Sequence, residues 1–264
     1  MDYALKIFAS FVVGGGYVAG VVWLSERLGS RIGGAVAGLP STILVSLSFI
    51  AITEGPADAR SAVSIAPLMF IATLIYALVF MQAVKKSSHA RKHPIAITLA
   101  TLAWLAAAIA IRQLSSLDFY AVVLLATLGL AAFLYKFRDF SVIVPNKIPL
   151  PKHMYALRFF VGGVLIASAV VAARFLGPVW GGIISSFPVM LGSILYFLNK
   201  SQGAKFLEGF LRRLPLSYGG SLLFMIIIHQ TLTKTPAVLS FALGLSGAAF
   251  YAFILLSAKQ RADK

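Results

Sequence analysis

The chain contains no cysteine, and only eight of its 264 residues are aspartate or glutamate. The first absence excludes disulfides, thiolate catalysis and cysteine-ligated metal sites. The second leaves no pair of carboxylates inside the long apolar stretches, and so none of the buried acid and base groups that intramembrane catalysis normally needs. Charged residues make up 12%, against about 25% in an ordinary soluble domain, while 59% of the residues are hydrophobic and the mean hydropathy is +0.91. Such a chain is built for lipid. No G-x-x-x-x-G-K phosphate loop occurs, and no nucleophile has an evident base. Gly14-Gly15-Gly16 lies within an apolar run, so it is not a nucleotide loop. The four histidines have no metal-ligand spacing: His89, His93 and His153 fall between apolar runs, where they are expected to be solvated, and His229 lies near the end of one. Nothing here points to an enzyme, a cofactor or a metal.

What is present is length and greasiness. Crossing a hydrocarbon core of about 30 Å takes roughly 17–25 helical residues. Runs of that kind fall near 7–24, 32–52, 62–84, 94–111, 117–135, 159–176, 179–198, 214–232 and 236–257. Backbone groups in lipid must be satisfied within the segment, and these runs do not alternate as barrel strands do, so an all-α integral membrane protein with nine transmembrane helices is expected. Connections read as short except 136–158, where three prolines between Val144 and Pro151 suggest an extended linker. Met1 to Lys6 lacks the basic region of a signal peptide, so no cleavage is expected.

The net charge of +15 is explained by topology once the 23 Lys and Arg residues are sorted by loop. With nine crossings, 18 of them fall on one side and five, Lys6, Arg60, Arg112, Arg174 and Lys234, on the other. The positive-inside rule then puts the protein in the cell membrane with the N-terminus outside and the C-terminus in the cytoplasm. No nucleic-acid partner is needed to account for the basic charge.

The chain also repeats itself. Arg31-Ile32-Gly33-Gly34-Ala35-Val36-Ala37-Gly38-Leu39-Pro40-Ser41-Thr42 returns 148 residues later as Val179-Trp180-Gly181-Gly182-Ile183-Ile184-Ser185-Ser186-Phe187-Pro188-Val189-Met190. The same offset carries Gly14-Gly15 onto Gly162-Gly163, Gly29 onto Gly177, Gly55 onto Gly203, Pro67 onto Pro215 and Gln82 onto Gln230, without a gap. Repeat 1 spans 1–112 and repeat 2 spans 153–264, with a spacer helix and the Pro-rich linker at 113–152 between them. The ninth run matches the fourth at an offset of 142, through Pro94 with Pro236, and also resembles the fifth, through Leu128-Gly129-Leu130 and Leu243-Gly244-Leu245. One odd helix between two four-helix copies inverts the second, the arrangement typical of alternating-access transporters.

Pro40 and Pro188 lie roughly 12–13 Å into their runs at 1.5 Å per residue, from opposite faces. A proline there deletes a helix hydrogen bond and displaces the carbonyl four residues back. Ser41, Thr42 and Ser46, and Ser185, Ser186 and Ser193, could satisfy the freed groups. The candidate substrate site is therefore Gly34, Gly38, Pro40, Ser41 and Thr42 with Gly182, Ser185, Ser186 and Pro188, the half-helix N-termini aiming positive charge at the midplane. Packing is the competing reading: Gly34 and Gly38, Gly16 and Gly20, and Gly182 and Ser186 are small-xxx-small pairs that let helices approach. Ionisable groups cluster at run ends: Glu26 and Arg27 close the first run, Arg174 is the repeat counterpart of Glu26, and Glu54 joins Asp58 and Arg60 in an expected loop. Snorkelling or salt bridging accounts for Glu26 and Arg174.

Fused, inverted four-helix units with a spacer helix resemble the drug/metabolite transporter superfamily, whose smallest members, the small multidrug resistance proteins, are four-helix dual-topology dimers. The hallmark glutamate of that superfamily's first helix has no counterpart between Ile7 and Leu24, since Glu26 lies beyond the run. The Gly-rich first run followed by Gly33-Gly34 and Pro40 is also similar to the GlpM-like small four-helix membrane proteins, over runs 1–3 and 6–8. Three functions fit: a secondary transporter of a small polar or anionic solute, a lipid or lipid-phosphate translocase, and a non-transporting scaffold. The expected partners are membrane lipids and a small polar solute or a lipid headgroup, and a homo-oligomer stays open.

Overall fold

The structure is a computed structural model, and it describes residues 2–27, 41–86, 92–139 and 153–262. Every regular element in those residues is helical. In order they are α1 (Tyr3–Arg27), α2 (Ser41–Thr53), α3 (Pro56–Val63), a 3₁₀ turn (Ala66–Leu68) and α4 (Met69–Lys86). Next come α5 (Lys92–Arg112), α6 (Phe119–Lys136), α7 (His153–Phe175) and α8 (Pro178–Ser185). The last three are α9 (Val189–Gln202), α10 (Ala204–Thr231) and α11 (Ala237–Ala262).

Among the described residues eight stretches are long and apolar enough to cross a membrane, Pro56–Lys86 and Pro178–Lys200 each joining two helices. The second expected crossing, 32–52, is represented by α2, whose 13 residues reach only about 20 Å at 1.5 Å per residue; residues 28–40 lie outside the described set. Phe8, Leu124, Leu128, Phe160, Phe250 and Phe253 are each more than half exposed at positions along these helices. In water so much exposed apolar surface would be a liability, whereas lipid tails cover it at no cost. The described chain has the make-up of a helical membrane protein.

The helix starts follow from local chemistry. Gly55, Gly177 and Gly203 take φ of 107°, 95° and 78°, values open to glycine but strained for other residues. Each stands immediately before a helix, and Pro56 and Pro178 then occupy first-turn positions where a missing N–H costs nothing. Asp118 starts α6 by accepting the Tyr120 N–H at 2.8 Å.

Three expectations are corrected here. Asp58 and Arg60 are not in a loop but on α3, where Pro56 and the Gly55 turn launch a helix directly, and Arg60 Nε donates to the His229 carbonyl at 2.9 Å. The run at 214–232 begins ten residues earlier, because α10 starts right after Gly203 and continues through Pro215. Its 28 residues span about 42 Å, so Lys205, Arg212 and Arg213 ride on a helix that outruns the hydrocarbon core. His93 sits on α5, half-buried, and its Nε2 lies 2.8 Å from Nδ2 of Asn199.

The chain forms two compact units: Met1–Ala66, Pro149–Ser186 and Ser217–Lys264 in the first, Pro67–Ile148 and Phe187–Leu216 in the second. The first unit is organised on α1 and α7, which pack closely and run antiparallel, since Tyr3 at the start of α1 meets Phe175 at the end of α7 (ring centroids 6.4 Å). Lipid tails are as apolar as leucine, so what holds such a pair together is close van der Waals approach, which needs small residues. Gly14, Gly15, Gly162 and Gly163 supply it. A Cβ on Gly14 would lie 2.6 Å from Ile166, and one on Gly162 would lie 3.0 Å from Val18. Gly15 faces the Phe159 carbonyl and Gly163 the Phe11 carbonyl. The rings of Phe11 and Phe159 meet edge to face at 5.8 Å. Gly20, by contrast, has no atom of the described residues within 4 Å of where a Cβ would stand, so among those residues the Gly16 and Gly20 pair is not the contact.

In the second unit α4 packs on α5, α6 and α9. Gly129 of α6 admits Ile71 of α4, 2.6 Å from a built Cβ. Lys85 and Glu208 pair at the surface of this unit.

Candidate functional site

The interruption expected at Pro188 is present. A proline at 188 offers no N–H to the Ile184 carbonyl and pushes against it, so α8 cannot run on. It ends at Ser186 (φ −90°, ψ 1°), whose N–H turns to the Ile183 carbonyl at 3.0 Å in 3₁₀ fashion. Pro188 itself (φ −83°, ψ 55°) is the centre of an inverse γ-turn, closed by the Val189 N–H on the Phe187 carbonyl at 2.9 Å. The helix then resumes as α9, with the Gly192 N–H on the Pro188 carbonyl at 3.1 Å.

Hydroxyls take up the slack, as the sequence suggests. Gly182 has lost the Ser186 N–H that a continuous helix would give it, and its carbonyl accepts the Ser185 hydroxyl at 2.8 Å and the Ser186 hydroxyl at 2.9 Å. Ser193 Oγ reaches the Met190 carbonyl at 2.8 Å. Ser185 is fully buried and Ser186 half-buried. Each hydroxyl donates inward and keeps lone pairs for another donor.

The other predicted site residues are placed unevenly. Gly34, Gly38 and Pro40 lie outside the described residues. Ser41 opens α2, directly after Pro40 as Val189 opens α9 directly after Pro188, and Thr42 is half-buried beside it. Within the first unit α2 packs on α8. Ser46 on α2 is fully buried, and its Oγ has no hydrogen-bond partner among the described residues. Gly182 serves packing: a Cβ there would run into the Ala62 carbonyl of α3, and at Gly181 it would lie 3.0 Å from the Ala169 carbonyl.

Sequence reasoning missed the aromatic groups around Phe187. In the second unit the Phe187 ring lies edge-on to Trp104 of α5 at 5.0 Å and to Tyr76 of α4 at 6.5 Å. Tyr76 and Trp104 are both buried. The Tyr76 hydroxyl engages Thr101, and Gly192 gives it room, a Cβ there lying 2.6 Å from the phenolic oxygen. Trp104 Nε1 is buried with no hydrogen-bond partner among the described residues. The signal was available: tryptophan usually sits at the membrane interface, and Trp104 stands mid-way along its run. Near the start of α5 and the end of α9, His93, Asn199 and Tyr196 form a polar group, the His93 and Tyr196 rings 4.9 Å apart. No family model, curated protein or solved structure matches the chain. The functional reading therefore rests on these residues.

Proposed function

We propose that the chain is a secondary transporter of a small polar or anionic solute, working by alternating access about the helix breaks that follow Pro40 and Pro188. The observation that carries the reading is the interruption at Ser186, Phe187 and Pro188 within the 178–200 crossing. Non-helical backbone at membrane depth is tolerated where it is buried in protein or lines a cavity, and half-helices meeting there are the usual solute site of inverted-repeat carriers. Hydroxyls with spare acceptor capacity at 185 and 186 suit a ligand that carries donor groups. The nine-crossing topology with two inverted copies belongs to the same proposal.

Support for the inversion comes from the α1 and α7 contacts. Gly14 meets Ile166 and Gly162 meets Val18, while Gly15 meets the backbone at Phe159 and Gly163 the backbone at Phe11. Shifting each residue by 148 converts each contact into its mate, the signature of a two-fold interface. A two-fold axis relating antiparallel helices runs perpendicular to both, which in a membrane is the bilayer plane.

Two measurements test the frame. Because the chain has no cysteine, the double variants Gly14→Cys/Ile166→Cys and Val18→Cys/Gly162→Cys are clean reporters. Their Cβ positions are close enough for both to cross-link on mild oxidation, and a single reactive pair would rule out the symmetry. A reporter after Lys264 should read cytoplasmic and a tag before Asp2 should be reachable from outside; both ends on one face would rule out nine crossings. Transport itself is tested by uptake of small carboxylates and phosphate esters into liposomes containing the purified protein. Saturable uptake is expected, and none across that panel would refute the reading.

A further inference from the structure

Between α1 and α7 the first unit carries a groove of about 790 Å³, walled by Ala4, Phe8, Val164, Phe175 and Leu176, with Ser168 among its few polar groups. It occupies the half of the pair where α1 begins and α7 ends. At that end polar side chains converge. The Arg174 guanidinium lies over the Tyr3 ring at 4.3 Å and holds Nη1 3.5 Å from Glu54 Oε2. The match is partial: Glu54 Oε1 and the Tyr3 hydroxyl are buried with no hydrogen-bond partner among the described residues, and the Arg174 side chain is 48% exposed. Lys6, next along α1, holds its exposed ammonium 3.2 Å from the Ile52 carbonyl.

An arginine and a carboxylate left to themselves favour a two-pronged pairing that uses both oxygens. Here one oxygen is left over, and a buried carboxylate oxygen without a donor is costly. Its complement is a small cation with N–H groups, while the exposed guanidinium beside it calls for a phosphate or carboxylate. A single ligand that meets both demands is a zwitterion carrying an ammonium and a phosphate a few bonds apart. All three residues of the cluster stand at helix ends, where a headgroup would be met: Tyr3 opens α1, Glu54 follows α2 and Arg174 precedes the last residue of α7.

We propose that the groove and this cluster bind one phospholipid with a primary-amine headgroup. An acyl chain lies along the groove, the ammonium donates to the Glu54 carboxylate, and the phosphate accepts from Arg174 and Lys6. A trimethylated amine has no N–H to give, and a glycerol headgroup has no cation. The site is separate from the Pro188 break and does not depend on the transport reading.

The test uses delipidated protein in detergent with dioleoyl phosphatidylethanolamine, phosphatidylcholine and phosphatidylglycerol, binding being read by native mass spectrometry and by the rise in melting temperature. The ethanolamine lipid should bind about tenfold more tightly than either of the others, a difference of about 1.4 kcal/mol. Glu54→Gln should erase that preference while leaving the acyl contacts. Ser168→Phe, which fills the groove and leaves the cluster intact, should weaken all three lipids. Equal binding of the ethanolamine and choline lipids by the native protein overturns the proposal. So does a glycerol lipid binding as well as the ethanolamine lipid, a preference that survives Glu54→Gln, or lipid binding indifferent to Ser168→Phe. If Glu54→Gln fails to give soluble protein, the native comparison and the Ser168→Phe variant still decide.

Discussion

Liposomes carrying Pro188→Ala should lose saturable solute uptake by tenfold or more, while the variant melts no lower than the native protein. Alanine restores the N–H that proline lacks and is about 3 kcal/mol better than proline in a helix interior, so α8 and α9 can join. Joining them removes the γ-turn at Pro188, returns the Ser186 N–H to the Gly182 carbonyl and swings Phe187 off the Trp104 and Tyr76 rings. Losing two ligand hydrogen bonds at about 1 kcal/mol each accounts for a factor in the range of tens. Uptake at the native rate in a folded Pro188→Ala protein would mean that the break serves packing alone.

Gly182→Leu should abolish assembly. The site where its Cβ would stand is filled by the Ala62 carbonyl of α3, and backbone cannot rotate aside as a side chain does. Overpacking in a well-filled interior costs about 1–3 kcal/mol, and a clash with backbone belongs at or above the upper end. The expected result is aggregated or degraded protein with no monodisperse fraction on gel filtration. Gly20→Leu is the matched control, because no atom of the described residues lies within 4 Å of a Cβ there, and it should behave as native. A Gly182→Leu protein that purifies and melts normally would show that α3 and α8 do not approach as described.

These two residues mark what could be read in advance. A proline deep in an apolar run announces a break through its own chemistry, because the missing N–H at 188 is a property of the residue and not of its neighbours. Paired glycines announce close approach in the same way, and Gly162-Gly163 and Gly181-Gly182 fulfil it. The identity of the approaching partner was not legible. Gly16 and Gly20 fit the spacing rule as well as any pair, yet the contact uses Gly14 and Gly15, since the rotation of α1 about its axis is set by the whole of α7.

Pro67 and Pro215, which the 148-residue offset aligns, make the same point, because their outcomes differ. One accompanies the 3₁₀ turn Ala66–Leu68 and the other sits inside an unbroken α10. Whether a freed carbonyl is satisfied locally or by a neighbouring helix depends on packing that a linear reading does not contain. His93 was expected in a solvated loop and Trp104 was passed over for a related reason: the partners that give them meaning, Asn199 and Phe187, are 106 and 83 residues away.

The pairing of Gly14 and Gly15 with Gly162 and Gly163 also sets an order of events in biosynthesis. The principal partner of α1 is α7, which ends at Phe175. At about 5–20 residues per second, α1 waits on the order of ten seconds before that partner has been made. Through this interval its glycine face has only lipid or the insertion machinery against it, and every helix from α2 to α6 enters first. Early steps of assembly must therefore rely on nearer neighbours such as α4 and α5, and the first unit closes late, over a loop of nearly 150 residues whose closure entropy makes that step intrinsically slow.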